Sequence, residues 1–139
     1  MPVSWGELID KITILRIKRE RVGSDEARAN VTRELALLER IAAGRMSDVG
    51  VVHWVRQLQT VNEALWEVED AIREHEAAGD FGPSFIDLAR SVYRNNDLRA
   101  AIKRKINQQL GSALIEEKSY RGAGAEASQP EQRQPRLAA

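Results

Sequence analysis

The sequence predicts an all-α fold: a compact bundle of four to five helices over residues 1–120, one of them long and heptad-patterned, with a disordered C-terminal tail at 121–139. Three observations carry this expectation. Apolar residues recur every three or four positions, and no run shows the period of two that a half-buried strand needs. N-cap residues and stop glycines punctuate that pattern. Between Val49 and Ala78 there is no proline and a single glycine, Gly50, near the start.

Ser4-Trp5-Gly6-Glu7 has the spacing of a capping box, so a first helix starts there and runs to about Val22, before Gly23. Trp5, Leu8, Ile12 and Leu15 form its apolar stripe, and Ile9, Ile14 and Ile17 widen it enough to face more than one neighbouring helix. Ser24 caps a second helix, with Asp25 and Glu26 in its electropositive first turn. Ala27, Val31, Leu35, Leu38 and Ala42 mark its buried face, and Gly44 is the expected stop. The short link that follows suggests that helices two and three pack as antiparallel neighbours.

The third helix carries Trp54, Leu58, Val61, Leu65, Val68 and Ile72 in alternating steps of four and three, a bundle seam. About 28 residues at 1.5 Å each give roughly 42 Å. Gly79 ends it, and Gly82-Pro83 forms the next corner. Ser84 is the expected cap of a fourth helix with Phe85, Leu88, Ala89 and Val92 on its face. Asn95-Asn96-Asp97 compete for local backbone bonds, so a kink or a new N-cap at Asp97 is expected there. Leu98, Ile102, Ile106 and Leu110 continue the stripe to Gly111, and Ser112 can cap a short last turn. The residues after Arg121 carry too little apolar surface to order themselves.

Composition narrows the function classes. Lys+Arg and Asp+Glu are both 21, which argues against a dedicated nucleic-acid binder. The absence of cysteine excludes disulfides, thiolate metal sites and cysteine nucleophiles. No secretory signal or membrane-length apolar run is visible, so a cytoplasmic location without membrane insertion is expected. The two histidines, His53 and His75, follow Gly50 and Ile72 at three residues, which removes the Glu-x-x-His pattern of a di-metal bundle; no metal or cofactor is expected. No phosphate-binding glycine loop or nucleophile elbow occurs.

The charge is unevenly distributed. Residues 62–76 hold six acids against Arg73, and residues 90–107 hold six bases against Asp97, so the two segments can neutralise each other. Two sharper readings concern ligand sites. Asn62, Trp66, Glu69 and Arg73 fall on one helix face, where the Trp ring offers a stacking surface and its neighbours offer hydrogen bonds. Arg90, Tyr93, Asn96, Asp97, Arg99 and Lys103 gather basic and polar groups around the expected helix break, a setting for phosphate. Each has a plainer structural alternative: a boundary Trp with a Glu69–Arg73 pair, and solvated or cross-helix charges. Asp10 and Arg21 flank the apolar stripe of the first helix, and an ion pair is the favoured use of any charge covered there.

The runs GELIDKITIL at 6–15, VNEALWEVEDAIRE at 61–74, FIDLARSVYRNNDLRAAIKRKIN at 85–107 and LGSALIEEKSY at 110–120 resemble a bacterial family of uncharacterised proteins, domain of unknown function 6165. The resemblance implies a domain that occurs alone or beside glycosyltransferase and tetratricopeptide-repeat segments, in envelope polysaccharide settings. It also picks out polar positions, among them Glu7, Asp10, Lys11, Asp70, Asn107 and Glu116, without assigning them to fold or ligand.

The function expected from this reading is a small non-catalytic binding or interaction module, accessory to cell-surface polysaccharide or glycosyltransfer systems. Its partner would be a glycosyltransferase or other protein, or an anionic molecule such as a phosphorylated sugar. The alternative is a small metal-independent enzyme using carboxylates and arginines on a phosphorylated or nucleotide-sugar substrate. The heptad seam also allows a homodimer, unless the bundle uses it internally.

Overall fold

Four helices are present in the computed structural model, which describes residues 4–111: α1 (Trp5–Arg21), α2 (Asp25–Met46), α3 (Val52–Ala78) and α4 (Pro83–Leu110). The expected cap at Ser112 and the tail lie outside the described residues. No helix among the described residues is long and apolar enough to cross a membrane.

The caps act locally, much as their sequence suggests. The Ser4 hydroxyl accepts from the Glu7 N–H at 3.1 Å, and the Ser24 hydroxyl accepts from the Ala27 N–H at the same distance. Gly79 and Gly111 take left-handed φ values of 68° and 61° at the ends of α3 and α4, where a side chain would be strained.

Three local expectations are corrected. Helix α2 runs through Gly44 to Met46. A helical glycine costs about 1 kcal/mol relative to alanine, but it does not by itself end a helix. The chain turns at Asp48 instead, whose carboxylate accepts from the Gly50 N–H at 2.8 Å and whose carbonyl accepts from Val51 and Val52. Helix α4 starts at Pro83, which has no N–H to leave unsatisfied in the first turn, so Ser84 is inside the helix rather than capping it. The break at 95–97 does not form. Asn95 donates to the Ser91 carbonyl at 2.8 Å along the helix, Asn96 and Asp97 face water, and α4 is continuous for 28 residues.

The pairing of helices also differs from expectation. Helix α2 packs on α1, and α3 packs on α4; each pair is a hairpin closed by a short corner. The wide apolar face of α1 joins them. Ile12 and Leu15 pack with Leu35 and Ala42 of α2, while Ile9 packs with Val55 and Leu58 of α3 and with Ile102 and Ile106 of α4. Trp5 and Met46 touch both clusters and close the seam between the hairpins. The heptad seam of α3 is partly consumed here: Leu58 and Leu65 are buried, whereas Trp54, Val61, Val68 and Ile72 are half-buried.

Candidate functional site

Arg99, Lys103 and Asn107 lie four residues apart, so they form one line along α4, and that line faces α1. Asn107 Oδ1 accepts from the Gly6 N–H at 2.7 Å, one of the backbone donors that a helix start leaves unpaired. Lys103 Nζ donates to Glu7 Oε1 at 2.6 Å. Arg99 grips Asp10 with two bonds, Nε to Oδ1 at 2.9 Å and Nη2 to Oδ2 at 2.6 Å. The order 99, 103, 107 against 10, 7, 6 is a polar ladder between antiparallel helices.

Gly6 sets its depth. A Cβ there would lie 2.6 Å from the Lys103 carbonyl oxygen and 3.0 Å from Asn107 Oδ1, so only glycine lets the two backbones approach this closely.

Asp10 is the centre of the ladder and is 1% exposed. From α3, Asn62 Nδ2 donates to Asp10 Oδ1 at 2.9 Å and to the Thr13 hydroxyl at 2.8 Å. Thr13 in turn donates to the Asp10 carbonyl at 2.7 Å. Lys103 Nζ adds a second cation 3.9 Å from Asp10 Oδ2. A buried carboxylate demands such partners, because an unpaired charge is very costly away from water. On the other side of the pair, the hydrogen bonds to Asp10 raise the Arg99 pKa. Desolvation pulls it down, and the charges of Asp10, Glu7 and Glu69 add to the rise.

The residues singled out in the sequence therefore separate. Asn62, Arg99 and Lys103 come together at this junction, with their polar groups turned to other helices. Glu69 is exposed and acts on Arg99 through its charge. Arg73 pairs with Asp70 at 2.6 Å rather than with Glu69. Trp66 is half-buried and belongs to neither apolar cluster. Arg90, Tyr93, Asn96 and Asp97 are exposed on α4, and the helix break around which they were to gather is absent.

The two oppositely charged segments are coupled by the charge of Glu69 acting on Arg99, but among the described residues their tightest cross-helix pairs are not with each other. Both reach α1 instead: Glu67 binds Arg21 at 2.6 Å, and Arg99 and Lys103 bind Asp10 and Glu7. Asp10 is paired as a covered charge should be, but its partner is Arg99, and Arg21 goes to Glu67.

An open feature lies elsewhere on α4. A groove of about 480 Å³ runs between α3 and α4, lined by His53, Arg56, Gln57, Val61, Leu98 and Ile102, with no residue from α1 or α2. Leu98 is 54% exposed, although it continues the stripe of Ile102 and Ile106. A second groove of similar size lies where α1, α2 and the start of α3 meet, and carries its own ion pair, Arg16 with Glu39 at 2.7 Å. Sequence reasoning missed the first groove; the signal for it was the polar set His53, Arg56, Gln57 and Thr60 beside Val61 on one side of α3. It also missed Gly6 and Thr13, whose roles depend on a neighbour distant in sequence.

Fold and junction together define a small all-α domain: two helical hairpins locked through a buried carboxylate–guanidinium pair. The chain belongs to DUF6165, a family of unknown function, whose model matches residues 1–133. Neither a curated protein nor a solved structure matches the chain.

Proposed function

We propose that the chain is a non-catalytic, cytoplasmic interaction module that engages a partner protein through the α3/α4 groove, in the surface-polysaccharide setting that its family resemblance implies. One observation carries this reading: its most buried ionic group, Asp10, holds helices together, while a groove with an exposed leucine is left open. Asp10 and Asn62 are buried and bonded to each other, and Arg99 and Lys103 are engaged by Asp10 and Glu7, so a phosphate or sugar would have to compete with those carboxylates. Glu69 and Asp70, the carboxylates an enzyme would use here, line neither groove. Catalysis by acid and base needs such groups within hydrogen-bond reach of one bound substrate.

The test uses the full chain in two arms. Calorimetric titration with a sugar phosphate and a nucleotide sugar is expected to give no saturable heat and no turnover. Affinity capture from the cell of origin is expected to retain a partner protein with the native chain and to lose it with Leu98→Asp. Turnover that disappears in Glu69→Gln would replace this reading with the small-enzyme one, and nucleotide-sugar binding without turnover that disappears in Arg90→Ala would replace the protein partner with a phosphorylated sugar.

A further inference from the structure

We infer that the occupant of the α3/α4 groove is an acidic amphipathic helix supplied by another protein; this rests on the interaction-module reading and adds the partner's chemistry. The shape comes first. Two antiparallel helices leave a straight furrow that a third helix fills by ridge-in-groove packing, with apolar anchors at i, i+3 and i+4. Val61, Ile102 and the exposed Leu98 supply the apolar surface for such anchors.

The sign of the charge comes second. Arg56 lines the groove, and no carboxylate does. On α4, Arg94, Leu98, Ala101 and Lys105 fall on one face at steps of four, three and four, and both cations are exposed. With Arg56 in the lining and Arg94 and Lys105 on the same α4 face as Leu98, the surface is complementary to a helix with apolar anchors flanked by Glu or Asp.

The same charges argue against the rival occupants. Two-fold pairing with a second copy would bring Arg56, Arg94 and Lys105 against the same residues of the partner, a like-charge contact. An anionic lipid surface satisfies the charge but is flat, and it would leave a concave groove unfilled. Arg56 also lines the second groove, but that groove carries a carboxylate of its own, Glu39, which makes it less suited to an acidic helix.

The experiment places a photo-crosslinking amino acid in the full-length chain, in the cell of origin, at exposed Thr60 in the groove lining or at exposed Ile41 on α2. Adducts are sequenced by mass spectrometry, with helical circular dichroism as the check on folding. The expected result is a Thr60 adduct on an acidic segment of another protein with helix-period apolar residues. The double variant Arg56→Glu/Arg94→Glu should reduce it roughly tenfold or more. A Thr60 adduct on a neutral or basic protein segment, or one indifferent to the charge reversal, overturns the inference and leaves the interaction-module reading standing. Protein adducts at Ile41 alone overturn the inference and also the α3/α4 groove as the docking face. Thr60 adducts confined to lipid or to this chain's own residues overturn the inference. The absence of a partner-protein adduct at both positions overturns both readings.

Discussion

Leu98 and Arg99 are adjacent on α4 and live in opposite conditions. The charged residue is fixed against a buried carboxylate on α1, while the apolar one stands more than half exposed beside an open groove. One face of the helix is thus closed by polar bonds and another is left open with apolar surface. The contrast teaches that residue type alone does not separate fold from function in this chain. Here two of the cations that look like ligand-binding groups, Arg99 and Lys103, tie α4 to α1, and the leucine that looks like core stands at an open groove.

Substitutions that test this contrast differ in expected size. Arg99→Ala removes the main counter-charge of a buried carboxylate and should cost about 3 kcal/mol, read as a lower denaturant midpoint at unchanged slope. Arg99→Lys keeps the charge but loses the two-pronged grip, so it should recover only part of that loss.

Asn62→Ala leaves Asp10 Oδ1 and the Thr13 hydroxyl short of a donor and should cost about 2 kcal/mol by the same measurement. Gly6→Ala gains about 1 kcal/mol of helix propensity but forces α1 away from the Lys103 carbonyl, an overpacking cost of about 1–3 kcal/mol. A net loss of about 1 kcal/mol is expected, with the thermal midpoint lowered by a few degrees.

Two expectations lie at the small end. Leu98→Asp changes an exposed side chain and should alter stability by less than about 0.5 kcal/mol while abolishing partner capture. A stability loss as large as that of Arg99→Ala would mean that Leu98 belongs to the core after all. The pH dependence contributed by Arg99 should be smaller still. Its pKa is raised in the folded state, so its stabilisation is fully present below the ordinary guanidinium value and fades only as pH climbs through the raised one. Unfolding curves at about pH 7 and pH 9 should therefore show the same loss for Arg99→Ala, since an arginine is charged at both.

Much of this architecture is legible in the sequence wherever it depends on neighbours within one helix. Ser4, Ser24, Gly79 and Gly111 act within a few residues of themselves, and each does what its spacing suggests. The width of the α1 stripe correctly implies more than one partner helix. The errors have physical causes. Asn95 to Asp97 prefer turns in isolation, yet a helix already running on both sides absorbs them at little cost. The choice of α1 rather than α3 as the neighbour of α2 is a tertiary decision that loop length does not make.

Leu98 shows a limit of stripe reading. Each step of four residues overshoots a full turn by about 40°, so a run at 98, 102, 106 and 110 drifts around the helix and cannot stay on the core throughout. In the sequence Asn62 stands out as part of one polar face, and Arg99 and Lys103 as part of another. What joins them is Asp10, and no spacing rule reaches across the 89 residues between Asp10 and Arg99.

That separation has a consequence for how the chain comes to be folded. Each hairpin is built from contacts close in sequence, whereas bringing Asp10 to Arg99 closes a loop whose entropic cost is roughly 4 kcal/mol. During synthesis, the amino-terminal hairpin leaves the ribosome long before its counter-ion does. Until Arg99 has emerged, Ile9 has no α4 surface to cover it and Asp10 has no guanidinium to bind. Until then the molecule is half a bundle, with an acid and an isoleucine side by side on the face it has yet to close.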